Sequence, residues 1–158
     1  MEINKLKQEL TNYLDKPNTH RSLKDAAKDF PVEYINSRPD GISYSFWEML
    51  EHIRISQFDM LDFMRNPGYK EMKWPDEYWP EKGSVADKKM WDESLKKFEN
   101  DLKAIKEIVN EPSTDLYAVI AHGSGQTIFR EILQIIDHNS YHTGEFILMR
   151  KAMEIWDR

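Results

Sequence analysis

His138 and His142 stand four residues apart in a stretch whose apolar spacing predicts a helix from about Gln126 to Trp156. At that spacing two imidazoles leave one helix face about one turn apart, and a helix can offer both to a single metal ion. The stretch carries an alternating four-three seam: Ile128, Glu131, Ile135, His138, His142, Glu145, Met149, Ala152 and Trp156. Its ends are apolar and its middle is not. Burying polar groups without partners costs roughly 1–3 kcal/mol each, so something must satisfy them. Histidine pairs at this spacing are common on helix surfaces and in hydrogen-bonded cores. The place inside a seam is what favours ligation. His52, at the edge of the apolar face of an earlier helix, is the best third ligand. Three neutral nitrogens leave positions for water or substrate, whereas structural zinc sites are closed. His20 and His122 are weaker candidates. His20 begins a helix and reads as exposed. His122 lies in a Gly-rich loop about three turns from His138, which suits a substrate-side or solvent role.

The elements that position these residues are helical. Ile3, Leu6, Leu10, Tyr13 and Leu14 have helical spacing that stops before Pro17. Thr19 is a candidate cap for a second stretch with Leu23, Ala26, Ala27 and Phe30, which Pro31 kinks or restarts. Ser37-Arg38-Pro39-Asp40-Gly41 reads as a turn. A strong helix follows from about Tyr44 to Arg65, with Phe46, Leu50, Ile53, Met60, Leu61 and Met64 on one face. Trp47, Ile55 and Phe58 lie well off that face, so the helix is apolar nearly all round; they exceed what one bundle interior needs, and the bundle, the N-terminal segment and a second subunit of a homodimer are expected to cover them. Asn66-Pro67-Gly68 ends it. Trp74-Pro75-Asp76-Glu77-Tyr78-Trp79-Pro80 reads as an ordered loop packed on the helices, long enough for a crossover between parallel neighbours. Ser84-Val85-Ala86-Asp87 resembles a capping box. Trp91, Leu95, Phe98, Leu102, Ile105 and Val109 then form a second bundle seam, ending near Glu111-Pro112.

Composition narrows the class. The chain has 158 residues, 40% hydrophobic and 32% charged, which suits one helix-rich domain over 1–158 rather than a disordered or membrane-embedded chain. No apolar run approaches a bilayer span, and the start Met1-Glu2-Ile3-Asn4-Lys5 lacks a signal-peptide core. Cysteine is absent, so any catalytic thiol must come from a substrate. A cytoplasmic protein is expected. The formal net charge of −6, with Lys88-Lys89 and Lys96-Lys97 interleaved with acids, argues against nucleic-acid binding.

Several of these pieces together resemble the DinB-like superfamily, also described as the DinB/YfiT type. They are His52 within Trp47-Glu48-Met49-Leu50-Glu51-His52 and the run Asp137-His138-Asn139-Ser140-Tyr141-His142-Thr143-Gly144-Glu145. The Trp74–Pro80 segment, Gly125-Gln126-Thr127 and Arg150-Lys151 extend the likeness from about His20 onward. The resemblance implies an all-α four-helix bundle with a long crossover between helices 2 and 3. It also implies a divalent metal, zinc or nickel, on His52, His138 and His142, and often a homodimer. Relatives include enzymes that transfer small thiol cofactors, and others described as metal-dependent hydrolases. One departure stands out: the family commonly has Gly-Gln after the last ligand, and here it is Gly144-Glu145. Glu145 can serve as a general base, a fourth ligand, or an acceptor for an imidazole N–H.

Two classes of function follow. As an enzyme, the chain would use a metal on three imidazoles to acidify a bound water or thiol of a small-molecule substrate, with Glu145 or Glu48 moving a proton. Glu48, four residues before His52, reads better as an ordinary solvated residue or as a group standing behind the ligands. As a stress-related binding module, it would carry a structural metal closed by Glu145, or no metal. The sequence leaves hydrolysis and small-thiol transfer open.

Overall fold

The computed structural model describes residues 2–15 and 19–156. It is all-α: α1 (Glu2–Asp15), α2 (Leu23–Ala27), α3 (Phe46–Arg65), α4 (Lys88–Asn110) and α5 (Ile128–Ala152). Among the described residues β-structure is limited to a single antiparallel bridge between Val119 and Thr127. Pro17, expected to stop the first helix, lies outside the described residues, as does Met1.

Local chemistry sets the helix starts. Ser45 caps α3 by accepting from the Glu48 N–H, and the Glu48 carboxylate accepts from the Ser45 N–H, a reciprocal box. Ser22 and Asp25 repeat that device at α2, so Ser22 rather than Thr19 is its cap. At α4 the cap is Asp87, whose side chain accepts from the Met90 N–H. Ser84 belongs to no capping box; its hydroxyl accepts the Trp47 indole N–H at 3.2 Å. The last helix is shorter than its seam, closing at Ala152, with Arg150 turned back onto the carbonyls of Ala26 and Ile155.

α3 is the centre of the molecule and packs on both α4 and α5. Glu51 meets Ser94, and the Gln57 amide donates to the Phe98 carbonyl, so α3 and α4 run parallel. Against α5 the order reverses. Phe46 packs on Phe146, His52 faces His142, and Gln57 bonds Asn139, so these two helices are antiparallel. α1 lies on α4, and its Lys7 ammonium donates to the carbonyls of Glu111 and Thr114 beyond the α4 end.

The apolar core has two parts. One gathers Phe30, Phe46, Leu50, Ile53, Trp91, Phe98 and Phe146. The other gathers Leu10, Leu61, Ile105, Leu116, Ile132 and Ile135. Between them, α3 presents Ser56 and Gln57, and α5 presents His138, Asn139 and His142. A polar waist thus lies between the two apolar parts. Trp47 belongs to the first apolar part, 6% exposed, with its N–H bonded to the Ile35 carbonyl. Ile35 and Ser84 of its own chain hold it, and at that exposure it contributes to no outer patch. Phe58 remains 38% exposed.

Candidate metal centre

The waist brings together the three histidines singled out from the sequence. His52 comes from the second turn of α3, and His138 and His142 from the middle of α5. His52 Nε2 is 3.2 Å from His142 Nε2 and 3.3 Å from His138 Nε2. One ligand atom from each of the three rings lies within 4.8 Å of the others. Nitrogens bound tetrahedrally at about 2.0–2.1 Å from one ion stand roughly 3.3–3.4 Å apart, so the observed spacing is that of ligands around a common centre.

Proton accounting strengthens the point. His52 Nδ1 is 2.8 Å from the Tyr78 carbonyl, which can only accept. Nδ1 therefore carries the hydrogen, and in the neutral ring Nε2 is a bare lone pair. His142 Nδ1 is 2.6 Å from Glu145 Oε2, which fixes the same tautomer. The two Nε2 atoms then face each other as acceptors with no hydrogen between them. A cation at that point removes the conflict. His138 Nδ1 is buried beside Asn139 and completes no hydrogen bond.

Burial favours the neutral rings that ligation requires. It holds His52 below the usual imidazole range despite the Tyr78 carbonyl. It pushes His138 down to about 4, assisted by repulsion from His142 and His52. Trp79, from the segment joining α3 to α4, stacks flat on the His52 ring, with centroids 4.0 Å apart and planes 4° apart. Tyr141 meets the His142 ring edge-on at 4.8 Å. The Tyr44 hydroxyl lies beside Glu145, and its acidity is suppressed by burial and by that neighbouring carboxylate.

The other candidates fall outside the cluster. Glu145 stands behind His142, on the far edge of the ring from Nε2. Glu48 is spent on the start of α3. Burial pushes its carboxyl up, but N–H donors from Ser45 and Gly83 and the Arg38 guanidinium outweigh this and hold it below the usual range. His20 is exposed, with Nδ1 against the Arg21 carbonyl. His122 is exposed and bonded to the Phe63 carbonyl. It lines a cavity of about 530 Å³ with Asp59, Arg130, Glu131 and Gln134, toward the other end of the α3–α5 groove. Sequence reasoning missed Tyr78, Trp79, Tyr44 and Asn139 as neighbours of the triad. The Pro/Trp-rich segment was the available signal for the first two.

The DinB superfamily model matches residues 18–146. The chain belongs to the DinB superfamily. The match spans all three histidines of this DinB-superfamily chain and Glu145, and it ends before Arg150-Lys151. No match is found among the curated proteins or the solved structures. Family membership rests on the sequence match, and the placing of the histidine triad to hold a metal ion rests on the geometry of residues within that match. No helix among the described residues is long and apolar enough to cross a membrane.

Proposed function

We propose that this chain is a metal-dependent enzyme acting on a small-molecule substrate, by hydrolysis or by transfer to or from a low-molecular-weight thiol. In this reading His52, His138 and His142 hold one divalent ion, zinc or nickel, through their Nε2 atoms. Bound there, the ion supplies Lewis acidity toward a substrate atom or water in the position the protein leaves free. Tyr78 and Glu145 hold the Nδ1 protons of His52 and His142, so that both rings present lone pairs. Glu145, with the Tyr44 hydroxyl beside it, is also the nearest group able to take a proton at the His142 edge of the site.

The observation that carries the reading is the 3.2 Å approach of two imidazole nitrogens that both lack a hydrogen. The alternative is a non-catalytic stress-related module with a structural metal or none. A closed structural site needs Glu145 as fourth ligand, and the 2.6 Å contact with Nδ1 commits that carboxylate to the back of the ring.

The finer architecture belongs to the same proposal. α1, α3, α4 and α5 form a single-domain four-helix bundle of DinB type, with 66–87 as the crossover. The chain is cytoplasmic, binds no nucleic acid, and acts as a homodimer. The exposed strip Leu133, Tyr141 and Leu148 on α5 is a better interface candidate than Trp47.

Elemental analysis of tag-free protein tests the metal, with about one zinc or nickel per chain expected. A panel of electrophilic substrates with and without added small thiols separates transfer from hydrolysis. Protein that takes up no divalent ion at neutral pH would refute the proposal.

A further inference from the structure

Tyr78 is held at both ends. Its carbonyl accepts the His52 Nδ1–H at 2.8 Å, and its hydroxyl donates to Asp59 Oδ2 at 2.8 Å. His52 and Asp59 are seven residues apart on α3, so they share a face two turns apart, roughly 10 Å along the axis. The tyrosine is laid along those two turns. Asp59 is 7% exposed, and its other oxygen accepts the Tyr69 hydroxyl at 2.9 Å. Both donors come from the chain between α3 and α4. A buried carboxylate whose hydrogen bonds come from two phenol hydroxyls rather than from a cation is costly to keep.

We propose that Asp59 is a positioning residue for the metal centre: by anchoring the Tyr78 hydroxyl it fixes the Tyr78 carbonyl, and that carbonyl sets the tautomer and plane of His52. Trp79, next in the chain, completes the device by stacking on the ring whose N–H its neighbour holds. Without the anchor the segment keeps its sequence but loses the point that aims its carbonyl. His52 is then free to turn about its side-chain bonds or to exchange tautomers, and Nε2 leaves the common centre. Acceptors behind ligating histidines are worth about 10–100-fold in metal affinity. The inference rests on the metal reading above for that consequence, but its geometric half concerns His52 alone.

The two tyrosines give the experiment its control. Tyr78→Phe and Tyr69→Phe each remove one hydroxyl from the same carboxylate, and only the first leads to His52. Zinc affinity by chelator competition should fall about 10-fold in Tyr78→Phe and in Asp59→Ala, and stay within about 3-fold of the parent in Tyr69→Phe. The Co(II) visible spectrum should change in the same two variants. Thermal midpoints of the metal-free proteins separate this from general loosening, because both Phe variants lose a comparable bond. Equal zinc affinity in the two Phe variants, whether both retained or both reduced, would overturn the proposal. Nitrogen-15 NMR of the imidazoles reads the geometric half without metal. The His52 Nδ1–H should be protected from exchange in the parent and in Tyr69→Phe, and exchange at least 10-fold faster in Tyr78→Phe. An unchanged rate would overturn the proposal even if zinc binds. Parent protein that binds no zinc but shows this exchange pattern would defeat only the metal reading and uphold the positioning.

Discussion

The groove between α3 and α5 has two polar layers, about two helical turns apart, and they treat their charges differently. In the layer of Asp59 and Glu131 each carboxylate has donors: the Tyr69 and Tyr78 hydroxyls for one, the Arg130 guanidinium for the other. In the layer of His52, His138 and His142 the outward-facing nitrogens of His52 and His142 are satisfied and that of His138 is not, and the inward-facing Nε2 atoms of His52 and His142 meet lone pair to lone pair. Burial alone therefore does not distinguish a site from a structural polar cluster. The distinguishing mark is a set of acceptors that the protein holds together without supplying a proton. The carboxylate layer is complete as it stands, and the histidine layer becomes complete with a cation.

Removing a ligand should give the largest effect. Structural zinc sites are worth about 10–16 kcal/mol over four ligands, so one ligand is worth roughly 3 kcal/mol, or more than 100-fold in affinity. His142→Ala is expected to lose stoichiometric zinc by chelator competition while its helical circular dichroism persists, because both apolar core clusters are untouched. Glu131→Gln, in the other layer, should bind zinc like the parent. Zinc lost equally in both variants would erase the distinction between the layers.

Acid should sharpen the contrast in metal-free protein, because the two layers respond with opposite sign. His138 is held at about 4 against an ordinary imidazole value near 6.5. Its folded form stays neutral where the unfolded chain takes up a proton. The stability it contributes is complete above about pH 6.5 and is lost as pH falls toward 4, at most on the order of 3 kcal/mol. Asp59 and Glu131 are shifted the other way by burial, with charged neighbours secondary. Their strain is present at neutral pH and is relieved as pH falls through their raised values. Urea unfolding from pH 7.5 to 4.5 should therefore show falling stability, and Asp59→Asn should steepen the fall by removing a compensating group. A flat profile in Asp59→Asn as well as in the parent would mean that His138 is not held neutral.

Sequence spacing was enough to find the histidine layer because helix geometry alone puts His138 and His142 on one face, and α3 has no other histidine to offer. The Ser45-x-x-Glu48 box was not picked out from the sequence, where Ser84 and Asp87 were read as a box instead, and it explains why Glu48 has no part in the chemistry. The Tyr78 carbonyl was not legible. A main-chain acceptor carries no side-chain signature, and which carbonyl meets His52 depends on how residues 66–87 lie across two helices. Trp47 misled for a related reason. Its position off the main face of α3 is real, but its partners, the Ile35 carbonyl and the Ser84 hydroxyl, lie outside the helix, where helix spacing gives no signal.

Glu145→Gln is a milder perturbation, and it restores the Gly-Gln pair that resembling sequences commonly carry. A glutamine oxygen still accepts the His142 Nδ1–H, so the tautomer survives. The negative charge behind the ring, which raises its basicity toward a metal, is lost. Zinc affinity should fall about 10-fold, near 1.4 kcal/mol, with the Co(II) spectrum preserved. Loss of the spectrum would instead mean that Glu145 itself reaches the metal, and the closed-site alternative would gain.

The smallest expected effect comes from the outer side of α5, which the histidine layer touches only through Tyr141. Gly144 sits mid-helix beside the exposed strip of Leu133, Tyr141 and Leu148, and a Cβ added there meets nothing within 4 Å. Glycine in a helix interior costs about 0.5–1 kcal/mol relative to alanine, chiefly through backbone freedom in the unfolded chain. Gly144→Ala should therefore raise the thermal midpoint by roughly 1–4 °C and leave zinc affinity unchanged, although it lies two residues from His142. The substitution also probes the proposed dimer. If a second copy lay on this strip with its backbone close to Gly144, the added methyl would meet it, and light scattering would report dissociation at micromolar concentration together with a lower midpoint. A higher midpoint with the dimer retained puts the subunit contact to one side of Gly144. A higher midpoint in a protein that is monomeric from the start removes the dimer from the proposal, while the metal centre, built wholly from one chain, is unaffected.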